Sequence, residues 1–152
     1  MKYKRLTIHE LEKLEKEFIE FLVINGIEAK DWEKIKQESP TNTEQIIENF
    51  SDVVHESTLR KVEYLQLILP HQLLCFYCQP NQIVLVGLQS TTTDFTQIKS
   101  LEDIDFSNPE FELFTQTKSY SKPREMELFD LINSGAGIAD NTLFTMLCGK
   151  LS

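Results

Sequence analysis

Long apolar runs are missing from this sequence of 152 residues. The longest, such as Leu67–Leu69 and Ile83–Val86, fall far short of the roughly 20 residues that a membrane-spanning helix needs. The N-terminal residues are charged and lead into no apolar stretch, so the sequence predicts no signal peptide. We therefore expect a cytoplasmic protein that does not enter a membrane.

Positive charge is also scarce. The chain has 15 Lys and Arg residues against 24 Asp and Glu residues, which gives a formal net charge of −9. Nonspecific nucleic-acid binding depends on Lys and Arg that neutralise phosphates, and adhesion to anionic membranes uses the same charges. The composition thus disfavours nucleic acid and membranes as partners, and it permits a basic protein partner.

Cysteine and catalytic motifs are few. Three cysteines, an odd number, make a disulfide framework unexpected in a reducing compartment. The sequence contains no Walker A loop, no dinucleotide-binding glycine fingerprint, no G-x-S-x-G and no H-E-x-x-H. Its three histidines lie far apart in the chain. We therefore assign no catalytic residue, no cofactor and no metal, and we favour a non-enzymatic protein without excluding an enzyme.

Helical patterns dominate the first third of the chain. Thr7 and Glu10 have the spacing of a capping box, and apolar residues then recur at helical intervals up to Asn25-Gly26, which ends the helix. A short second helix is predicted at 29–37. A third helix begins after a second capping box, at Thr41–Glu44, and runs to about residue 58.

The pattern changes to strands after that point. We predict strands at 62–68, 72–78 and 83–89 and a possible fourth at 110–117, although 59–68 could also extend the third helix. Helices are predicted at 123–133 and from Asp140 to about Cys148. The fold class is therefore α+β, in a single domain 1–152: three N-terminal helices, a small, mainly antiparallel sheet of three to four strands, and a C-terminal helical hairpin.

Cys75 and Cys78 form a C-x-x-C pair, a spacing found in redox dithiols and zinc sites. Here the pair lies in a predicted strand, where residues three apart point to opposite faces, so the sulfurs should not converge. We expect both cysteines to pack as small apolar residues. A thiol or metal enzyme around this pair is the third functional alternative.

The segment 137–147 resembles the turn and second helix of helix-turn-helix regulators. Its recognition face would be Asn141, Thr142 and Thr145, with no Arg to read bases. An ordinary helical hairpin is the favoured interpretation, and a transcriptional regulator is the second functional alternative.

Two segments are candidates for contact with a protein partner. Tryptophan is enriched at interface hot spots, and one lies among lysines on the second helix. A tryptophan in such a place more often anchors its helix in the core, and that is the favoured interpretation. An acidic stretch lies in the long connection 89–109, and long loops are often functional. The candidate partner-binding residues are Trp32, Lys30, Lys34, Glu102, Asp103 and Asp105. The leading hypothesis is an acidic protein-interaction or adaptor module with a partner still to be identified.

Several short segments carry a family resemblance. They include the N-terminal run 1–7, Asp31–Lys36, Phe50-Ser51-Asp52, Tyr64-Leu65 and Lys122-Pro123-Arg124-Glu125. With them, the chain resembles a family of short uncharacterised bacterial proteins of about this length. The resemblance implies a bacterial, cytosolic protein; it implies no activity and transfers no functional residues.

Overall fold

A computed structural model describes residues 2–151 of the chain, which contain six α-helices and five β-strands. The predicted α+β class is confirmed. The chain divides into two compact units, Met1–Thr58 and Leu59–Ser152, and the expectation of one domain stays a prediction. No helix in the described range is both long enough and apolar enough to cross a membrane.

The first unit is helical. Its helices are α1 (Ile8–Lys13), α2 (Glu15–Ile24), α3 (Ala29–Glu38) and most of α4 (Pro40–Arg60). The Thr7–Glu10 capping box is present as predicted. The predicted first helix is in fact two, because Leu14 leaves helical geometry (φ −108°, ψ 23°) and its N–H bonds to Leu11 O, three residues back. Four N-terminal helices therefore replace the three that we predicted.

Aromatic rings and two polar side chains hold the first unit together. The Phe18 ring meets the rings of Trp32 and Phe50 edge-on, with centroids 5.2 and 4.9 Å away. The segment before α1 is tied to α4 through side-chain acceptors. Ser51 Oγ accepts from the Leu6 N–H (3.0 Å), and the Asp52 carboxylate accepts from the backbone N–H groups of residues 2 and 3.

The second unit is built on one antiparallel sheet. Its strands are β1 (Tyr64–Ile68), β2 (Gln72–Cys78), β3 (Gln82–Gln89), β4 (Glu112–Ser119) and β5 (Gly137–Ala139), in the order β4-β3-β2-β1-β5. The first three lie close to their predicted positions. The doubtful stretch 59–68 divides, since α4 ends at Arg60 and β1 begins at Tyr64.

Two parts of the predicted topology are wrong. The sheet has five strands, because the three residues of β5, where we predicted no strand, pair with β1. The C-terminal helices α5 (Arg124–Asn133) and α6 (Thr142–Leu151) therefore do not form a simple hairpin, since β5 lies between them. A three-residue strand is too short to show any alternation in sequence, and its neighbour β1 supplies the pairing.

One face of the sheet carries a large hydrophobic cluster. Leu73, Cys75, Val86 and Leu88 pack there with Leu143 and Leu147 from α6. The long connection between β3 and β4 forms two 3₁₀ turns, Phe95–Gln97 and Leu101–Asp103, and buries Phe95 and Ile104 in the same cluster. This connection is thus a packed part of the fold.

Candidate functional site

A cleft of about 680 Å³ at one end of the sheet brings together a serine, a histidine and a glutamate. Ser90 Oγ donates to Glu110 and accepts the N–H groups of Thr92 (3.2 Å) and Thr93 (2.9 Å). A serine hydroxyl has one donor and two acceptor positions, and all three are used here. Ser90 therefore fixes the turn after β3 and has no lone pair left for nucleophilic attack.

Glu110 and His71 contact the same turn. The hydrogen bonds from the Ser90 hydroxyl and from Thr92 hold the pKa of Glu110 below its usual range, which weakens it as a base. His71 Nδ1 lies 3.1 Å from the carbonyl oxygen of Thr93. The cleft therefore offers a ligand-sized space, but Ser90, His71 and Glu110 are engaged in holding residues 90–93.

Cys75 and Cys78 lie on β2, and their pairing places them on opposite faces of the sheet, as predicted. Both are buried, and burial raises the pKa of Cys75 to about 12 and that of Cys78 to about 11. These groups are therefore thiols at neutral pH. Across residues 2–151, no three or more His, Cys, Asp or Glu side chains are grouped so that they could hold a metal ion.

The proposed DNA-reading residues Asn141, Thr142 and Thr145 lie at the start of α6 and are exposed. The tight turn of a helix-turn-helix would occupy Gly137–Ala139, but that segment is strand β5. The geometry of the C-terminal region thus differs from that motif at its defining element.

The residues of the predicted tryptophan surface lie on α3. Trp32 is partly buried and packs edge-on against Phe18, and Lys36 Nζ lies 5.7 Å from its ring centroid. Lys30 and Lys34 are exposed. Trp32 thus has contacts typical of a residue that anchors a short helix.

The acidic residues Glu102, Asp103 and Asp105 lie in the second unit and are exposed. The Asp105 carboxylate accepts the N–H and hydroxyl of Ser107, which closes a local turn. These acidic residues and the tryptophan surface therefore belong to different units of the chain.

Strand β4 is the outermost strand on one side of the sheet. All eight of its residues pair with β3 in an unbroken register, from Gln89↔Glu112 to Gln82↔Ser119. Residues 115–119 are exposed. The fold therefore presents a long, regular strand at its surface.

The direction of the hydrogen bonds along β4 follows from its neighbours, because successive residues of an antiparallel strand bond to opposite sides. Cys78 N–H donates to Glu63 O (2.7 Å), and Gln79 N–H donates to Gln82 O (3.0 Å). Even-numbered residues of β2 thus bond to β1, and odd-numbered ones bond to β3. In β3, the even-numbered residues therefore bond to β2 and the odd-numbered ones bond to β4. Through the pairing of β3 with β4, the even-numbered residues of β4 bond to β3, and the N–H and C=O groups of the odd-numbered ones point outward.

The outward groups of β4 are the N–H and C=O of Leu113, Thr115 and Thr117. Within residues 2–151, no hydrogen bond involves these backbone groups. Proteins usually protect such an edge with proline, a bulge, several charges or a very short strand. β4 has no proline, an unbroken register and one lysine, Lys118, whereas the opposite edge, β5, has only three residues. β4 is therefore the better candidate for strand pairing.

Sequence reasoning predicted a strand at 110–117 but not its position at the edge. The signal lies in Thr115–Ser119, which is polar on both faces, whereas β3 is apolar on both. A strand that is polar on both faces after an apolar beginning is typical of an edge that is partly solvated.

A protein-family model described as a family of unknown function matches residues 1–152, the whole chain. The chain belongs to the DUF6495 family. No curated protein and no solved structure matches it. The resemblance to an uncharacterised family is thereby confirmed.

Residues that suggested the family have structural contacts in this DUF6495 chain. The Arg124 guanidinium donates to the carbonyl oxygens of Leu59 (3.1 Å), Cys78 (3.0 Å) and Val62. It thus joins the end of α4, the approach to β1 and the end of β2. At this position the resemblance therefore follows a residue that holds the fold together.

Proposed function

We propose that this DUF6495 chain is a non-enzymatic protein-interaction module that binds an extended strand of its partner along β4. The observation that carries the proposal is the row of outward N–H and C=O groups at Leu113, Thr115 and Thr117. A peptide strand that adds to such an edge gains main-chain hydrogen bonds, and its alternate side chains meet the two faces of the sheet. This mode requires no catalytic group and no cofactor.

The side chains along the edge of β4 are polar, so we expect a partner to be bound mainly through hydrogen bonds to its backbone and little through burial of apolar surface. Thr115 and Thr117 project from one face and Gln116 and Lys118 from the other, and all four are exposed. An interface of this kind is polar and modest in area, so we expect reversible binding.

The other predicted surfaces are secondary proposals. Trp32 with Lys30 and Lys34, and the acidic Glu102, Asp103 and Asp105, could add contacts to a partner bound elsewhere. Trp32→Ala and Glu102→Lys test them, since either change should weaken a complex without unfolding the chain. No specific observation favours the DNA-binding or thiol-enzyme alternatives over the strand-binding proposal.

The test compares Thr115→Pro with Thr115→Val. Proline removes the outward N–H of residue 115, a group that makes no bond to β3, and proline is tolerated in edge strands. Valine keeps that N–H and a similar side chain. We expect a photo-crosslinking residue at position 117 to capture protein in cells, and Thr115→Pro but not Thr115→Val to abolish the capture. Equal capture by both variants, each folded by circular dichroism, would contradict the proposal.

A further inference from the structure

The sequence of β4 is complementary to itself when two copies run antiparallel about Thr115. In that register Glu112 of one copy lies opposite Lys118 of the other, and the same pair recurs at the other end by symmetry. Phe114 lies opposite Gln116, Leu113 opposite Thr117, and Thr115 opposite its own counterpart. Cross-strand pairs of opposite charge and of two threonines are both favourable.

The hydrogen-bond direction fits the same register independently of the charges. In an antiparallel pair, residues that exchange both N–H···O bonds must point toward the partner strand. Thr115 points outward, so a two-fold axis beside it creates a hydrogen-bonded pair. Leu113 and Thr117 also point outward and lie opposite each other, which adds two further pairs. Each outward residue from 113 to 117 thus finds a partner.

Other registers lose the charge match. An axis at Leu113 or at Thr117 keeps the hydrogen-bond direction, but it sets Glu112 opposite Phe114 or Lys118 opposite Gln116. A parallel, in-register pair would place Glu112 beside Glu112 and Lys118 beside Lys118, and such pairs of like charge are unfavourable. Only the axis at Thr115 pairs Glu112 with Lys118.

We infer that the strand bound by β4 is β4 of a second copy of this chain, antiparallel and centred on Thr115. This inference rests on the proposed function and names its partner. The pair is isologous, so it closes as a two-fold dimer. Each dimer joins two five-stranded sheets into one, and the short β5 edges remain outermost.

The charged residues can serve this interface without giving up their present contacts. Glu112 accepts a hydrogen bond from the Gln89 side chain (2.7 Å), and Lys118 Nζ lies 3.4 Å from Glu127. A carboxylate accepts at several positions and an ammonium donates three bonds, and the Lys118 side chain is 59% exposed. Exposed ion pairs contribute little to affinity, so the backbone hydrogen bonds supply most of the attraction between the two strands. The charges serve to distinguish this register from the others.

Cysteine trapping tests the register directly. In the inferred dimer the two Thr115 Cα atoms lie about 5.5 Å apart, as in any hydrogen-bonded antiparallel pair, which is within disulfide range. Thr117 is a matched control, because it is exposed on the same face, yet the two copies of it lie about 14 Å apart. Under mild oxidation we expect Thr115→Cys to form covalent dimers much faster than Thr117→Cys or the unmodified chain.

Charge variants give a second, independent readout in sedimentation velocity. Glu112→Lys sets two lysines opposite each other at both ends and should weaken self-association. Glu38→Lys makes the same change of net charge at an exposed position on α3 and should not weaken it, since it only reduces the overall repulsion. Thr115→Pro should weaken self-association by about tenfold or more, because two backbone bonds are lost.

The outcomes separate the inference from the proposed function. Equal trapping of the two cysteines, or faster trapping of Thr117→Cys, overturns the inferred register. A monomeric chain that Thr115→Cys does not trap overturns the inference, while the proposed function stands if Thr115→Pro still abolishes capture of a different protein. If Thr115→Pro changes neither self-association nor capture, both fall.

Discussion

The ring of Phe114 on β4 lies directly over Gly87 on β3, its cross-strand partner. A Cβ atom added to Gly87 would lie 2.2 Å from Phe114 Cζ, well inside van der Waals contact. The glycine thus leaves room for the Phe114 ring against the backbone of β3, beside the edge. This contact helps to fix the position of β4, whose outward groups are the proposed binding surface.

The Gly87–Phe114 contact predicts a coupled pair of mutations. Gly87→Ala should destabilise the fold by about 1–3 kcal/mol, because the ring must move off the sheet. In a Phe114→Ala background the same change should cost much less, since the obstructing atoms are gone. Urea denaturation of the four proteins measures the coupling. Equal costs of Gly87→Ala in the two backgrounds would show that the ring does not occupy this place.

The contacts of Arg124 lead us to expect that even a conservative substitution there has a large effect on stability. Its side chain is only 14% exposed, and its fork of donors reaches carbonyl oxygens on three segments. A lysine ammonium cannot reproduce that fork. We expect Arg124→Lys to destabilise the chain by about 2–4 kcal/mol, because buried carbonyls lose their donors. Lys99→Ala, at an exposed loop position, should change stability by less than about 0.5 kcal/mol; similar effects of both variants would contradict the role of Arg124.

The hydrogen bonds of Glu127 lead us to expect that the stability of the fold depends on pH. Burial raises its pKa, but hydrogen bonds from the Ser121 hydroxyl and from the N–H groups of Ser121 and Lys122, with the charge of Lys118, outweigh burial and lower it. A carboxyl whose pKa is lower in the folded state stabilises the fold above its unfolded pKa, about 4.3 for glutamate. That stabilisation is lost as the pH falls through the lower folded value.

Glu127→Gln removes this titration. The stability difference between the unmodified chain and Glu127→Gln should therefore be largest at neutral pH and should shrink below about pH 4.3. Denaturation curves collected between pH 7 and pH 3 measure it. A difference that stayed constant over that range would mean that the Glu127 carboxylate does not carry the effect.

The thiols of Cys75 and Cys78 should be inert. Their pKa values of about 12 and about 11, raised by burial, leave almost no thiolate at pH 8. We expect a disulfide reagent to modify them only as the chain unfolds, with all three cysteines reacting in denaturant. Rapid reaction of either residue in the native chain, or zinc in a stoichiometric amount, would instead support the thiol or metal alternative.

The elements that could be predicted from the sequence are those with strong local patterns. The strand over 72–78 is rich in apolar and aromatic residues and lies between two turns with proline, and Thr7 and Glu10 have the spacing of a capping box. Both the strand and the capping box appear in the structure. Strand β5 could not be predicted, because Gly137–Ala139 becomes a strand only through pairing with β1. The break at Leu14 likewise has no signal in the apolar spacing of that helix.

The candidate site shows the same limit. The strand that carries Thr115 was predicted, but its place at the edge depends on the strand order, which short connections alone do not determine. The outward direction of Leu113, Thr115 and Thr117 follows from hydrogen bonds on β2, two strands away. The edge position of β4 and the direction of its backbone groups can therefore be derived only when the order and register of all the strands are known.

Amide hydrogen exchange along β4, measured at low and high protein concentration, tests the central claim most directly. At low concentration the N–H groups of Phe114, Gln116 and Lys118, which face β3, should exchange slowly, and those of Leu113, Thr115 and Thr117 should exchange fast. At high concentration the second group should become protected as well, because each N–H gains an acceptor on the partner strand. Fast exchange of Leu113, Thr115 and Thr117 at every concentration and with every protein partner would contradict the claim that β4 binds a strand.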